Sequence, residues 1–81
     1  MKIELRGFGS ARAFSGKSID VPVQTSIGEL RHMITTQLEI DESLKTIINS
    51  CAFASTQQVL NDEYHLEEPQ VLNLLPPVCG G

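Results

Sequence analysis

Hydrophobic and polar residues alternate over the first eight positions. Ile3 and Leu5 fall on one side and Lys2, Glu4 and Arg6 on the other, the period-two pattern of a half-buried strand. Ser10 to Phe14 has the length of a helical turn, closed by Ser15-Gly16. Alternation resumes from Ser18 to Val23, with Ile19, Val21 and Val23 sharing a face. Pro22 lies on the outward side and has no N–H to give, which places this strand at or near a sheet edge. The two runs predict a hairpin with a wide connection. At Ser26 the period changes. Ser26-Ile27-Gly28-Glu29 is a capping box, with a hydroxyl at the N-cap and a carboxylate three residues on. Ile27, Leu30, Met33, Ile34 and Leu38 then recur at helical spacing and form one apolar stripe. The helix ends between Leu38 and Ile40, where Asp41 and Glu42 open a polar connection.

Lys45 to Phe53 carries Thr46, Ile47, Ile48, Cys51 and Phe53 and predicts a strand with a polar interruption at Asn49-Ser50. A short strand is expected around Gln58 to Leu60, with turns at Asn61-Asp62 and Glu67-Glu68-Pro69. Gln70 to Leu75 is apolar on both faces, as suits a central strand. Its expected neighbour is the first strand, with the helix covering both. One main helix over a mixed sheet of four or five strands makes an α+β roll of β-grasp type. Residues 1–75 form this domain, and 76–81 form an extended tail.

At 81 residues the chain holds one small domain. A hydrophobic fraction of 41% with 20% charged residues is globular composition. A net charge of −4 gives no electrostatic reason to seek nucleic acid or an anionic membrane surface. No apolar run approaches the roughly 20 residues needed to span a bilayer, and Met1 to Arg6 lacks the apolar core of a signal peptide. A cytoplasmic protein is expected. The charge is uneven: residues 1–38 carry a net +2 and residues 39–81 a net −6. The acidic half is either a solvated face or a surface that meets a basic partner.

Catalytic signatures are missing: there is no GxSxG, HExxH or phosphate loop. Cys51 and Cys79 form no disulfide framework and no CxxC, and His32 and His65 stand far apart, so no metal site is expected. Cys51 reads as a small core residue and the histidines as surface residues. No bound cofactor is expected.

The chemistry lies in Pro76-Pro77-Val78-Cys79-Gly80-Gly81. Two prolines cannot continue a ladder, and they stiffen the chain into an extended direction. From Val78 onward nothing is large enough to pack a core, so the tail is expected to project roughly 15–20 Å. Two terminal glycines arise by chance in about one chain in 200. After a central strand and a stiff proline pair they acquire a purpose. Without a Cβ the backbone can pass a narrow channel, and the Gly81 carboxylate can be delivered into another protein's site. A carboxylate is inert as an acyl donor at neutral pH until it is activated, most simply as an acyl-adenylate. This chain has no nucleotide site, so a partner must supply that step.

The end Leu74-Leu75-Pro76-Pro77-Val78-Cys79-Gly80-Gly81 resembles the terminus of molybdopterin synthase small subunits, ubiquitin-like sulfur carriers of β-grasp fold. Upstream, Phe8 to Gly16 resembles the family's segment after its first strand. Thr25 to Arg31 resembles its helix start, and Ile47-Ile48-Asn49 its third strand. The resemblance implies that a separate, E1-like enzyme adenylates Gly81 with ATP and that sulfur then replaces the adenylate to give a thiocarboxylate. The tail enters the large synthase subunit, and sulfur passes to a cyclic pterin precursor of the molybdenum cofactor. It also implies a heterotetramer with the large subunit and a channel occupied by Pro76, Pro77, Val78, Cys79 and Gly80. A docking arm needs a hydrophobic anchor near its base, so the apolar Phe8, Phe14, Leu74 and Leu75 are expected to include an exposed partner interface, with Phe8, Leu74 and Leu75 as its named candidates. Cys79 is read as a small residue accommodated by the channel rather than a sulfur relay. A carrier for thiamine, cysteine or tRNA thiolation, and a ubiquitin-like protein modifier, share the same tail.

Overall fold

The computed structural model describes residues 1–77; Val78, Cys79, Gly80 and Gly81 lie outside the described residues. Strand β1 (Lys2–Gly7) leads through a 3-10 helix (Gly9–Phe14) to β2 (Ser18–Asp20). Helix α1 (Ile27–Gln37) and helix α2 (Glu42–Ser50) follow, then β3 (Ala52–Ala54), β4 (Val59–Leu60) and β5 (Gln70–Leu75). The strands form one mixed sheet in the order β2-β1-β5-β3-β4. β1 and β5 run parallel at its centre, from Ile3 beside Gln70 to Gly7 beside Leu74, and the other pairs are antiparallel. This is the expected β-grasp arrangement, with β5 central and β2 at an edge.

One face of the sheet is buried. Ile3 and Leu5 of β1, Leu72 and Leu74 of β5, Phe53 and Leu60 point into a core closed by Ile27, Leu30 and Ile34 of α1 and Ile48 of α2. Ala11 and Phe14 of the 3-10 helix and Leu66 of the β4–β5 connection complete it. Val21 joins this core, but Val23 is exposed because β2 ends at Asp20 and the alternation is not carried on.

Helix α1 begins where its capping box predicts, and its start is fully hydrogen-bonded. A helix N-terminus leaves four backbone N–H groups without intrahelical partners. Here the Glu29 carboxylate accepts from Ser26 N (2.9 Å), Tyr64 O from Ile27 N (2.9 Å), Asp62 O from Gly28 N (3.0 Å) and Ser26 Oγ from Glu29 N (3.1 Å). The capping box thus handles two donors, and the β4–β5 connection handles the other two.

Lys45 to Phe53 is not a strand. Residues 42–50 form helix α2, and only Ala52–Ala54 is extended. Asp41, read as part of a polar connection, is the N-cap, and its carboxylate accepts from Leu44 N at 2.9 Å. Leu44, Ile47, Ile48 and Cys51 fall at helical spacing and face the core, while Asn49 and Ser50 lie on the solvent side. The β-branched run Thr46-Ile47-Ile48 favours a strand by propensity. Burying the stripe under a capped helix overrides that preference. The Ile47-Ile48-Asn49 segment that resembles a third strand is therefore helical.

At the end of β1, Gly7 is required by contact. A Cβ built there would lie inside the Ala11 carbonyl group. Gly7 N donates to Ser15 Oγ (2.8 Å), and the Ser15 hydroxyl donates back to Gly7 O (3.0 Å), folding the 3-10 helix against the strand. Gly16, at φ 85°, makes the left-handed turn that returns the chain to β2.

Two predictions follow from these contacts. Gly7→Ala should cost on the order of 1–3 kcal/mol, read from urea unfolding, because the turn must move to admit a methyl group. The second concerns pH. Accepting hydrogen bonds from the Ser26 backbone and hydroxyl holds the Glu29 carboxyl below its ordinary value. A carboxyl lowered in the fold stabilises it above the ordinary carboxylate range and loses that contribution as pH falls through the lowered value. Glu29→Gln should therefore be less stable than the parent at pH 7, and the gap should close in acid, where both side chains are neutral.

Candidate functional site

β5 leaves the centre of the sheet at Leu75, and Pro76 and Pro77 end the ladder because neither has an N–H. Phe8 N donates to Leu74 O at 3.3 Å, so the pairing of β1 with β5 runs one step past the strand. Pro76 is half-buried over the turn that follows Phe8. Gly9 turns the chain there at φ 55°, a conformation that favours glycine, and packs close to the Pro76 ring.

Side chains on the outward face of the sheet follow from the register. One step beyond the Gly7–Leu74 pair, Phe8 stands beside Leu75, and Leu75 pairs with Ala52. Phe8 is 47% exposed and Leu75 37% exposed, making an apolar row at the base of the tail. The next row runs Arg6, Asn73, Ala54, Val59 from β1 to β4. Val59 is 64% exposed. Ala54 is buried yet stands outside the helix-side core, as expected for a small residue flanked by neighbours on the outward face.

Of the expected interface residues, Phe8 and Leu75 lie on this surface. Leu74 does not: it is fully buried against the helices, because β5 alternates and Leu74 takes the inward position. Phe14, another apolar candidate, is likewise in the core. Pro76 and Pro77 stand at the exit. Val78, Cys79, Gly80 and Gly81 lie outside the described residues.

Arg31, which lies off the apolar stripe of α1, is a hub. Its Nη1 donates to Ile48 O (2.6 Å) and Cys51 O (2.7 Å), and its Nη2 to Asp62 Oδ1 (2.8 Å). The guanidinium lies 4.8 Å from the Phe53 ring centroid. A planar fork with several donors suits this task as an ammonium would not. It caps the C-terminal end of α2 and ties α1 to the β4–β5 connection, fixing where β3 begins.

Cys51 lies next to this clasp and is 3% exposed. Burial pushes its thiol up, and the nearby Arg31 charge opposes this only in part. It stays protonated at neutral pH and serves as core, since the thiolate is the reactive form. His32 and His65 are exposed. Among the described residues no three His, Cys, Asp or Glu side chains converge to hold a metal, and no helix is long and apolar enough to cross a membrane. A groove of about 510 Å³ lies at the β5 end opposite the tail, lined by polar residues including Ser55, Gln58, Tyr64, Glu67 and Glu68. It contains no basic side chain for a phosphate.

No family model and no curated protein matches this chain. Among solved structures it is similar to a chain of the protein–protein complex of subunits 1 and 2 of molybdopterin-converting factor from Helicobacter pylori 26695. The identity is 32% and the TM-score 0.67, with all of both chains covered. The chain belongs to the family of molybdopterin-converting factor small subunits. The tail exit beside the Phe8–Leu75 row is therefore the candidate site of a small subunit of this type, and the helix-side core, with Cys51 and Leu74 in it, is its scaffold.

That division predicts how the thiols react. Cys51 in the folded small subunit should resist iodoacetamide at pH 7 and become alkylated in urea, as peptide mass spectrometry would show. Labelling of Cys51 at equal rates in both conditions would place it outside the core.

Proposed function

We propose that this small subunit is the sulfur carrier of a molybdopterin synthase, with the Gly81 carboxylate as its reactive group. A separate, E1-like enzyme joins that carboxylate to the α-phosphate of ATP and releases pyrophosphate. A sulfur nucleophile then displaces AMP and leaves a thiocarboxylate. The sulfur passes to a cyclic pterin precursor inside the large subunit. Membership of the family over the full length of the chain carries this reading. The geometry is in keeping with it: the central strand runs straight into Pro76-Pro77, where the ladder ends. The carboxylate needs activation before it can react, and the sequence carries no phosphate loop, so activation and acceptance fall to partners.

Sulfur held as a thiocarboxylate is a soft nucleophile on a leash, kept at high effective concentration beside its acceptor. The leash needs an anchor. Phe8, Leu75 and Ala52 supply an apolar row at its base, where hydrophobic contact orients the tail into a channel. Pro76, Pro77, Val78, Cys79 and Gly80 then occupy the passage, with Gly80 and Gly81 at its narrowest part. The solved complex of subunits 1 and 2 of the related factor supports a large-subunit partner, here in a heterotetramer. The setting is the cytoplasm, where ATP is at hand.

Deleting Gly81 should abolish thiocarboxylation and sulfur transfer while leaving the melting temperature unchanged. The reading is tested by intact-mass measurement after incubation with the activating enzyme, ATP and a sulfur donor. The expected result is a gain equal to one sulfur replacing one oxygen at Gly81. An isopeptide link to lysines of other proteins, with no such gain, would instead make the chain a protein modifier.

A further inference from the structure

The outward face of the sheet holds a polar group with no partner among the described residues. Asn73 lies on the central strand β5, between Arg6 of β1 and Ala54 of β3, with Val59 of β4 beyond. Its Oδ1 is buried from solvent and accepts no hydrogen bond from any described residue. Buried polar atoms in folded proteins are almost always paired, so an orphan acceptor asks for a reason. The site does not favour a carboxamide. It is mid-strand, where β-branched and aromatic residues fit best and Asn is depleted. The outward neighbours Val71 and Leu75 on the same strand are aliphatic. Asn73 therefore costs the free chain stability that an aliphatic side chain would not.

We propose that Asn73 is a specificity-determining residue of the docking face, where it accepts a hydrogen bond from a neutral donor on the large subunit. The inference rests on the reading that the Phe8–Leu75 face docks that subunit. Asn73 is one position along β5 from the inward Leu74 and two from Leu75, in the row next to the apolar one. A surface that covers the apolar row covers Asn73 as well. An apolar group set against the carboxamide would bury it unpaired, and that complex would be weak. A hydroxyl or carboxamide at the same point pairs with it. A cation there would meet Arg6, which sits beside Asn73 on β1. The orphan oxygen thus discriminates by rejecting wrong surfaces as much as by attracting the right one.

The test compares two variants that differ by one methyl for one hydroxyl, Asn73→Val and Asn73→Thr, with Leu75→Asp as a probe of the face itself. Binding to the large subunit from the same organism is measured by calorimetry, and each free chain is melted. Asn73→Val should melt higher than the parent yet bind about tenfold more weakly. Asn73→Thr, which keeps an oxygen at that point, should bind within about threefold of the parent. A purely structural residue would move both readouts in the same direction. Equal affinities for the Val and Thr variants, with Leu75→Asp weakened, would overturn the role of Asn73 and leave the docking face standing. A lower melting temperature for Asn73→Val would also overturn it, because the carboxamide would then be supporting the fold. If all three variants bind like the parent, the docking face itself is wrong, and the inference goes with it.

Discussion

Two strands from opposite ends of the sequence lie side by side and parallel at the centre of the sheet, and the other elements are arranged around that pairing. Parallel neighbours cannot be joined by a tight turn, so the chain between them must cross one face of the sheet. Helices α1 and α2 make that crossing and bury the inward residues of both strands. The pairing also decides where the tail emerges. β5 ends level with β1, in the middle of the sheet, so the tail starts from the best-supported strand with Phe8 and Gly9 beneath it.

The crossing is held at two points by polar contacts that share the β4–β5 connection. At one, carbonyls of Asp62 and Tyr64 take the N–H groups that α1 leaves free. At the other, Arg31 reaches from α1 to the carbonyls that end α2 and to the Asp62 carboxylate. Asp62 thus serves both ends, with its backbone at the helix start and its side chain at the guanidinium. An exposed ion pair contributes little by itself. Arg31 is different because its side chain is only 14% exposed and two of its hydrogen bonds go to backbone carbonyls that otherwise have no helical partner.

What could be read from the sequence was what is complete within one segment. The alternation of β1, the capping box of α1 and the apolar run of β5 each carry their own evidence, and together they identify the β-grasp roll. Helix α2 was also encoded locally, by Asp41 and by the spacing of Leu44, Ile47, Ile48 and Cys51, but the β-branched residues in it carry the opposite propensity. Tertiary burial decided between the two. Leu74 and Leu75 are both aliphatic, so their order along the chain does not say which faces the helices; the register with β1 does. Arg31 was beyond reach for another reason. Two of its partners are main-chain carbonyls 17 and 20 residues further on, and a carbonyl has no residue-type signature. The family resemblance pointed to the terminus as the candidate site, whereas only the folded sheet separates the exposed Phe8 and Leu75 from the buried Leu74.

The central pairing has a consequence for how the molecule comes into being. During synthesis β1 emerges first and β5 last, and the residues that pair in the sheet's centre are separated by nearly the whole chain. Contacts of such long sequence separation slow folding, because loop closure must be completed before they form. Until β5 arrives, β1 has no parallel neighbour, β3 has lost one of its two partners, and the core lacks Leu72 and Leu74. Ribosomes that stop short of the last strand release chains with an open sheet edge and exposed apolar surface, the kind of species that proteolysis removes. A chain that lacks β5 thus lacks both the closed sheet and the tail that follows it.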